Sequence, residues 1–135
     1  MFKCIKSVSL VIALLFSYFA NAQNQPQEKK NPIEIAAEQA DKLQLDLKLN
    51  RRQHFLADSV LQKNIAGVME EFEKMQKGGM QNPESYREVQ MKWFKKTEDA
   101  FEKFMTPEQF ERYLKISGVS SKERKKREQS KRGKK

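Results

Sequence analysis

His54 and Cys4 are the single histidine and the single cysteine of the chain. A zinc or copper site needs several nitrogen or sulfur ligands, so neither residue can anchor a metal centre alone. At helical spacing His54 falls in line with Phe72, which points to a rim or packing role and not to a ligand or general base. Two carboxylate pairs, Glu70-Glu71 and Glu98-Asp99, are the remaining candidates for acid–base work. Adjacent helical residues point about 100° apart, so neither pair can share a proton. The sequence has no glycine-rich phosphate loop, no HExxH pair and no Ser/His/Asp arrangement. These residues predict a protein without catalysis, cofactor or metal.

The elements available to position any site are bounded by size. A chain of 135 residues, 33% charged and 38% hydrophobic, allows one domain. Lys3 and Lys6 open it, residues 8–19 (VSLVIALLFSYF) are almost entirely apolar, and Ala20-Asn21-Ala22 follows. Positive start, short apolar middle and A-x-A end form the pattern of a secretory signal peptide over residues 1–22, cleaved after Ala22. The alternative is an uncleaved anchor, although a run of about a dozen residues falls short of the roughly 20 that span a bilayer. Cleavage would remove Cys4 and send a thiol-free chain to an oxidising compartment.

The formal net charge is +9. Residues 120–135 carry most of that excess, through Lys122, Arg124, Lys125, Lys126, Arg127, Lys131, Arg132, Lys134 and Lys135 against Glu123 and Glu128. No apolar residue follows Val119, so this tail is expected to be disordered. It reads either as a solubilising run or as an attraction to anionic lipid or lipopolysaccharide, worth up to ~1 kcal/mol per cation close to charged lipid. Nucleic acid is a weaker partner, because the tail has no aromatic ring to stack on bases.

Between a polar linker at 23–30 and the tail, residues 31–119 are helical by pattern. Asn31-Pro32 is a cap followed by a first-turn proline. Ile33, Ala36, Ala40, Leu43 and Leu47 then recur at three- and four-residue steps, a stripe that Leu45 and Leu49 widen. In Leu49-Asn50-Arg51-Arg52-Gln53, Asn50 and Gln53 are spaced as a capping box. The helix it opens runs to about Gln76, with Leu61, Ile65, Val68, Met69, Phe72 and Met75 in one arc, and Gly78-Gly79 ends it. Asn82-Pro83 starts a third helix, with Tyr86, Val89, Trp93, Thr97, Ala100, Phe101 and Phe104 along its apolar side. Met105-Thr106-Pro107-Glu108-Gln109 repeats the earlier mark in stronger form, and Met105 and Phe110 are placed as a hydrophobic staple. A short helix carrying Phe110, Tyr113 and Leu114 ends near Gly118. The expected architecture is all-α, with four helices forming two helical hairpins.

The two marks, Leu49-Asn50-Arg51-Arg52-Gln53 and Met105-Thr106-Pro107-Glu108-Gln109, resemble the paired LTxxQ motifs of the Spy/CpxP family of periplasmic chaperone-like proteins. The likeness extends over residues 33–117 and includes the signal peptide, the four-helix pattern and the thiol-free mature chain. Asn50 stands where that family has Thr, and Met105 where it has Leu. The resemblance implies a curved homodimer in the periplasm whose concave face holds unfolded or aggregation-prone envelope proteins without ATP. Some relatives sense stress or metals instead, and a single histidine argues against the metal branch.

The third helix supports such a surface independently. Its apolar arc, widened by Phe94 and Met105, covers about 160°, more than the ~100° one core contact needs. Met91, Phe94, Phe101, Phe104 and Met105 are thus the candidate client or dimer surface, because thioethers and rings adapt to irregular partners. Ordinary packing against the short fourth helix is the alternative. A core of this size also favours a homodimer. The competing functional class is a non-enzymatic structural or stress-regulatory adaptor held on anionic surfaces by the tail.

Overall fold

A computed structural model describes residues 31–134. The expected signal peptide over 1–22, with Cys4, the expected linker at 23–30 and Lys135 lie outside the described residues. Among the described residues there are five helices and no strand: α1 (Pro32–Leu47), α2 (Arg51–Lys77), α3 (Pro83–Glu102), α4 (Pro107–Ile116) and α5 (Ser121–Arg132). None of them is long and apolar enough to cross a membrane.

Each of the first four helices begins at the cap its sequence spells out. Asn31 Oδ1 accepts from the Ile33 amide at 3.1 Å and Asn82 Oδ1 from the Glu84 amide at 3.0 Å, each followed by a first-turn proline. Complete capping boxes open α2 and α4. The turn between α1 and α2 is made by Lys48, a non-glycine residue in the left-handed region at φ 53°. Both its own amide and that of Leu49 donate to the Gln44 carbonyl, closing the end of α1.

Helix α2 is the common partner. It packs against α1 and α3, while α4 closes against α1 and α3 and α5 packs on α4. Ala36 and Ala40 of α1 and Ala57 of α2 are fully buried, small side chains that let two helix backbones approach closely. Around them lie Leu47, Leu49, Leu61, Phe101, Met105, Tyr113 and Leu114. The Phe101 ring meets Tyr113 at 4.9 Å and Phe104 at 5.6 Å between centroids, both edge-on.

Burial stops partway along the α2–α3 hairpin. Asn64 is the last buried residue of α2 and Thr97 the first of α3, and no residue at 65–96 is buried. This outer half is held by Trp93, whose indole comes up against Gly67, and by the Phe72–Tyr86 ring contact at 5.1 Å. A Cβ on Gly67 would sit 2.3 Å from the indole, so the glycine makes room for the ring.

Several expectations need correction. The fold has a fifth helix, and α2 packs against α3 as well as α1, so the helices of the two expected hairpins also meet each other. Ile33 and Leu45 are 56% and 81% exposed, because the Ala36–Ala40–Leu47 stripe already fills the contact with α2. Met69 also faces outward. The tail expected to be disordered is helical over Ser121–Arg132. Apolar burial is not its support. Ser120 caps it through the Glu123 amide, Glu123–Arg127 and Glu128–Arg132 pair along it, and Arg124 and Arg127 reach back to the body.

Candidate functional site

The two repeated marks, 56 residues apart in sequence, meet in space. In each, a cap side chain accepts the third-position amide and the third-position glutamine accepts the cap amide: Asn50 with Gln53 at 2.9 and 3.0 Å, Thr106 with Gln109 at 3.2 and 3.0 Å. That leaves each carboxamide with a free NH2 group, and these groups join the motifs. Gln53 Nε2 donates to Gln109 Oε1 at 2.7 Å and to the Phe104 carbonyl at 3.1 Å. Gln109 Nε2 returns a bond to Gln53 Oε1 at 3.3 Å and reaches the carbonyls of Leu47 and Lys48, also at 3.3 Å. Gln53 is buried. This reciprocal amide clasp ties the starts of α2 and α4 to the ends of α1 and α3. Leu49 and Met105, the first residues of the motifs, are both buried beside it.

Beyond the clasp, between α2 and α3, lies a groove of about 220 Å³. Its apolar lining is Leu61, Ile65, Val68, Met69, Trp93 and Phe94; its polar lining is Gln39, Asn64, Gln90 and Thr97. The floor is rigid, because Asn64 Nδ2 donates to Thr97 Oγ1 at 2.8 Å and that hydroxyl donates to the Trp93 carbonyl at 3.0 Å. The indole Nε1 donates to Glu71 at 2.9 Å, and the Lys96 ammonium lies 3.9 Å above the ring centroid. Lys92 bonds the same carboxylate at 2.6 Å and, with the indole bond, holds Glu71 below the usual carboxylate range against a smaller opposing effect of burial.

The candidate client surface divides accordingly. Phe101 and Met105 are core residues, 0% and 7% exposed, because α4 folds back over them with Tyr113 and Leu114. The expectation that they stay partly open is therefore corrected. Phe94 and Phe104 are half-buried, and Met91 is 57% exposed. Met91, Phe94 and Phe104 thus keep part of their surface open on that arc, and of these Phe94 lines the groove.

The acidic candidates are each paired with a cation. Glu70 meets Lys74, Glu71 meets Lys92, and Asp99 meets Lys95. Glu98, 2% exposed, receives Arg127 Nη1 of α5 at 2.8 Å on one oxygen, while its other oxygen is buried without a hydrogen bond. Burial opposes the charge on Arg127, yet its hydrogen bonds to Glu123 and Glu98 outweigh that and raise its pKa further. Nearby, burial pushes the Tyr113 hydroxyl up to about 12, with Glu98 adding to the effect and a Ser117 hydrogen bond opposing it. His54 sits half-buried at the α1–α2 rim with Nε2 2.8 Å from Asp41. Among the described residues no group of three or more His, Cys, Asp or Glu side chains is arranged to hold a metal ion.

The motif glutamines were legible as local caps; their mutual bond was not. Its signal was the repetition itself, since a side chain that satisfies only its own helix start would not need a matching partner. Gly67, in the middle of a long helix, was a second unread signal. No family model, curated protein or solved structure matches the chain.

Proposed function

We propose that the protein is a Spy/CpxP-like, ATP-independent chaperone-like protein of the periplasm that binds unfolded or partly folded envelope proteins, acting as a homodimer. The observation that carries this reading is the open apolar groove at Phe94, bordered by the adaptable thioether of Met69. A short apolar segment of a non-native chain would dock there through side chains, without sequence-specific polar contacts. Exposed Lys95 and Lys96 on the same helix would draw in acidic stretches. A second copy covering the half-buried face of α3 would give the small core additional burial.

Light scattering of several unrelated aggregating clients tests the reading. The protein is expected to suppress aggregation at equimolar ratio, and Phe94→Ser to reduce suppression several-fold while far-UV circular dichroism stays unchanged. No suppression by the unaltered protein, or full suppression by Phe94→Ser, refutes it. Sedimentation at micromolar concentration tests the dimer separately, with a clean monomer as the refuting outcome.

A further inference from the structure

Six of the seven cations of α5 fall into two sets that face opposite ways, while Arg132 pairs with Glu128 along the helix. Arg124 pairs with Glu111 of α4 at 2.7 Å and donates to the Val119 carbonyl at 2.6 Å. Arg127 pairs with the buried Glu98 of α3 at 2.8 Å, and Lys131 pairs with Glu102 of α3. At ~100° per residue these three share one face of the helix, the face turned to the body. Lys122, Lys125 and Lys126 fall within an arc of about 100° centred on the opposite face. All three are exposed and none has an acidic partner. Gln129 and Gly133 continue that arc without bringing in a negative charge.

We infer that the outer face of α5 is a docking surface for an anionic phospholipid bilayer, with Lys122, Lys125 and Lys126 meeting the headgroup phosphates. The helix has no apolar residue, so it would lie on the headgroups and not insert. The inner ion pairs hold it folded and oriented before contact, so the three ammonium groups need no further ordering to engage one plane. Lysine suits this task, since its compact, strongly hydrated charge satisfies phosphates from varied directions. Duplex or single-stranded nucleic acid is the less favoured polyanion, because the ridge carries neither an aromatic ring nor an arginine free to fork onto a base. This inference is independent of the groove and of polypeptide binding.

The test is vesicle co-sedimentation of the full chain on phosphatidylcholine vesicles with and without 30 mol% phosphatidylglycerol. The apolar stretch at 8–19 is common to all variants, so the readout is the ratio of anionic to neutral partitioning. At about fivefold per lysine near the surface, Lys122→Gln/Lys125→Gln/Lys126→Gln is expected to lower that ratio by roughly 100-fold. Glutamine keeps the helix propensity, and circular dichroism checks that α5 persists. Lys42→Gln/Lys63→Gln, on α1 and α2, is expected to change the ratio little. Raising salt from 0.05 to 0.5 M should remove the preference. An unchanged ratio in the triple variant, an equal loss in the control variant, or stronger binding to DNA than to vesicles at matched phosphate overturns the inference.

Discussion

Replacing Gln109 by alanine tests whether the two helix starts form one unit. The substitution removes two short hydrogen bonds, from the Thr106 amide at 3.0 Å and from Gln53 Nε2 at 2.7 Å, and three longer ones at 3.3 Å. At ~1 kcal/mol for each well-formed bond, with a further contribution from carbonyls left short of a donor, the loss comes to about 3 kcal/mol. Gln53→Ala removes the bonds to the Asn50 amide, the Phe104 carbonyl and Gln109, and is expected to cost about the same. Both variants break the same amide–amide contact. The double variant breaks it once, so its loss should fall short of the sum by about 1–1.5 kcal/mol. Urea unfolding of the four proteins, followed at 222 nm, measures that coupling. A coupling under about 0.3 kcal/mol, the level of independent sites, refutes the view that the motifs act together.

Three further perturbations probe other parts of the fold. Gly67→Ala places a methyl group against Trp93 and is expected to destabilise by about 2 kcal/mol even though alanine is the better helix former; the fluorescence of this single tryptophan should shift, and a stabilised variant would contradict the packing. Arg127→Gln leaves the Glu98 carboxylate buried without its cation, and with the arginine side chain 34% exposed the expected loss is discounted to about 1–3 kcal/mol. Adding Glu98→Gln should recover part of that stability in thermal melts, and a further loss would argue against the pair. Tyr113 should give alkaline lability: burial holds its folded pKa at about 12, above the ordinary tyrosine value of about 10, so the unfolded chain releases its proton first. The stabilisation is complete below about pH 10 and falls by about 1.4 kcal/mol per pH unit up to about pH 12. Comparison with Tyr113→Phe, whose stability should lack that slope, isolates the effect.

The helix starts and stops were readable because caps, prolines and glycines act on their own neighbours, within the span that sequence spacing reports. The groove was partly readable, since helical spacing alone puts Leu61, Ile65, Val68 and Phe94 on apolar arcs. Which side of the α3 arc would remain open was not. Periodicity gives the width of an apolar face, while the position of α4, set by a tight Thr106 turn and the Gln53–Gln109 bond, decides that Phe101 and Met105 are covered. The tail was misread for a related reason: its partners, Glu98, Glu102 and Glu111, lie on other helices, and helix stability without apolar burial leaves no hydrophobic signature.

Because burial ends at Asn64 and resumes at Thr97, the protein carries two regions of unequal cooperativity. Opening of the outer α2–α3 turn exposes almost no interior, so its amides should exchange with solvent through frequent local excursions, while those around Ala57 and Phe101 should exchange only when the whole domain comes apart. A protease cut at Gly78-Gly79 would accordingly leave the remainder standing, and the groove, sited where one region passes into the other, could widen for an incoming chain while the centre of the molecule stays intact.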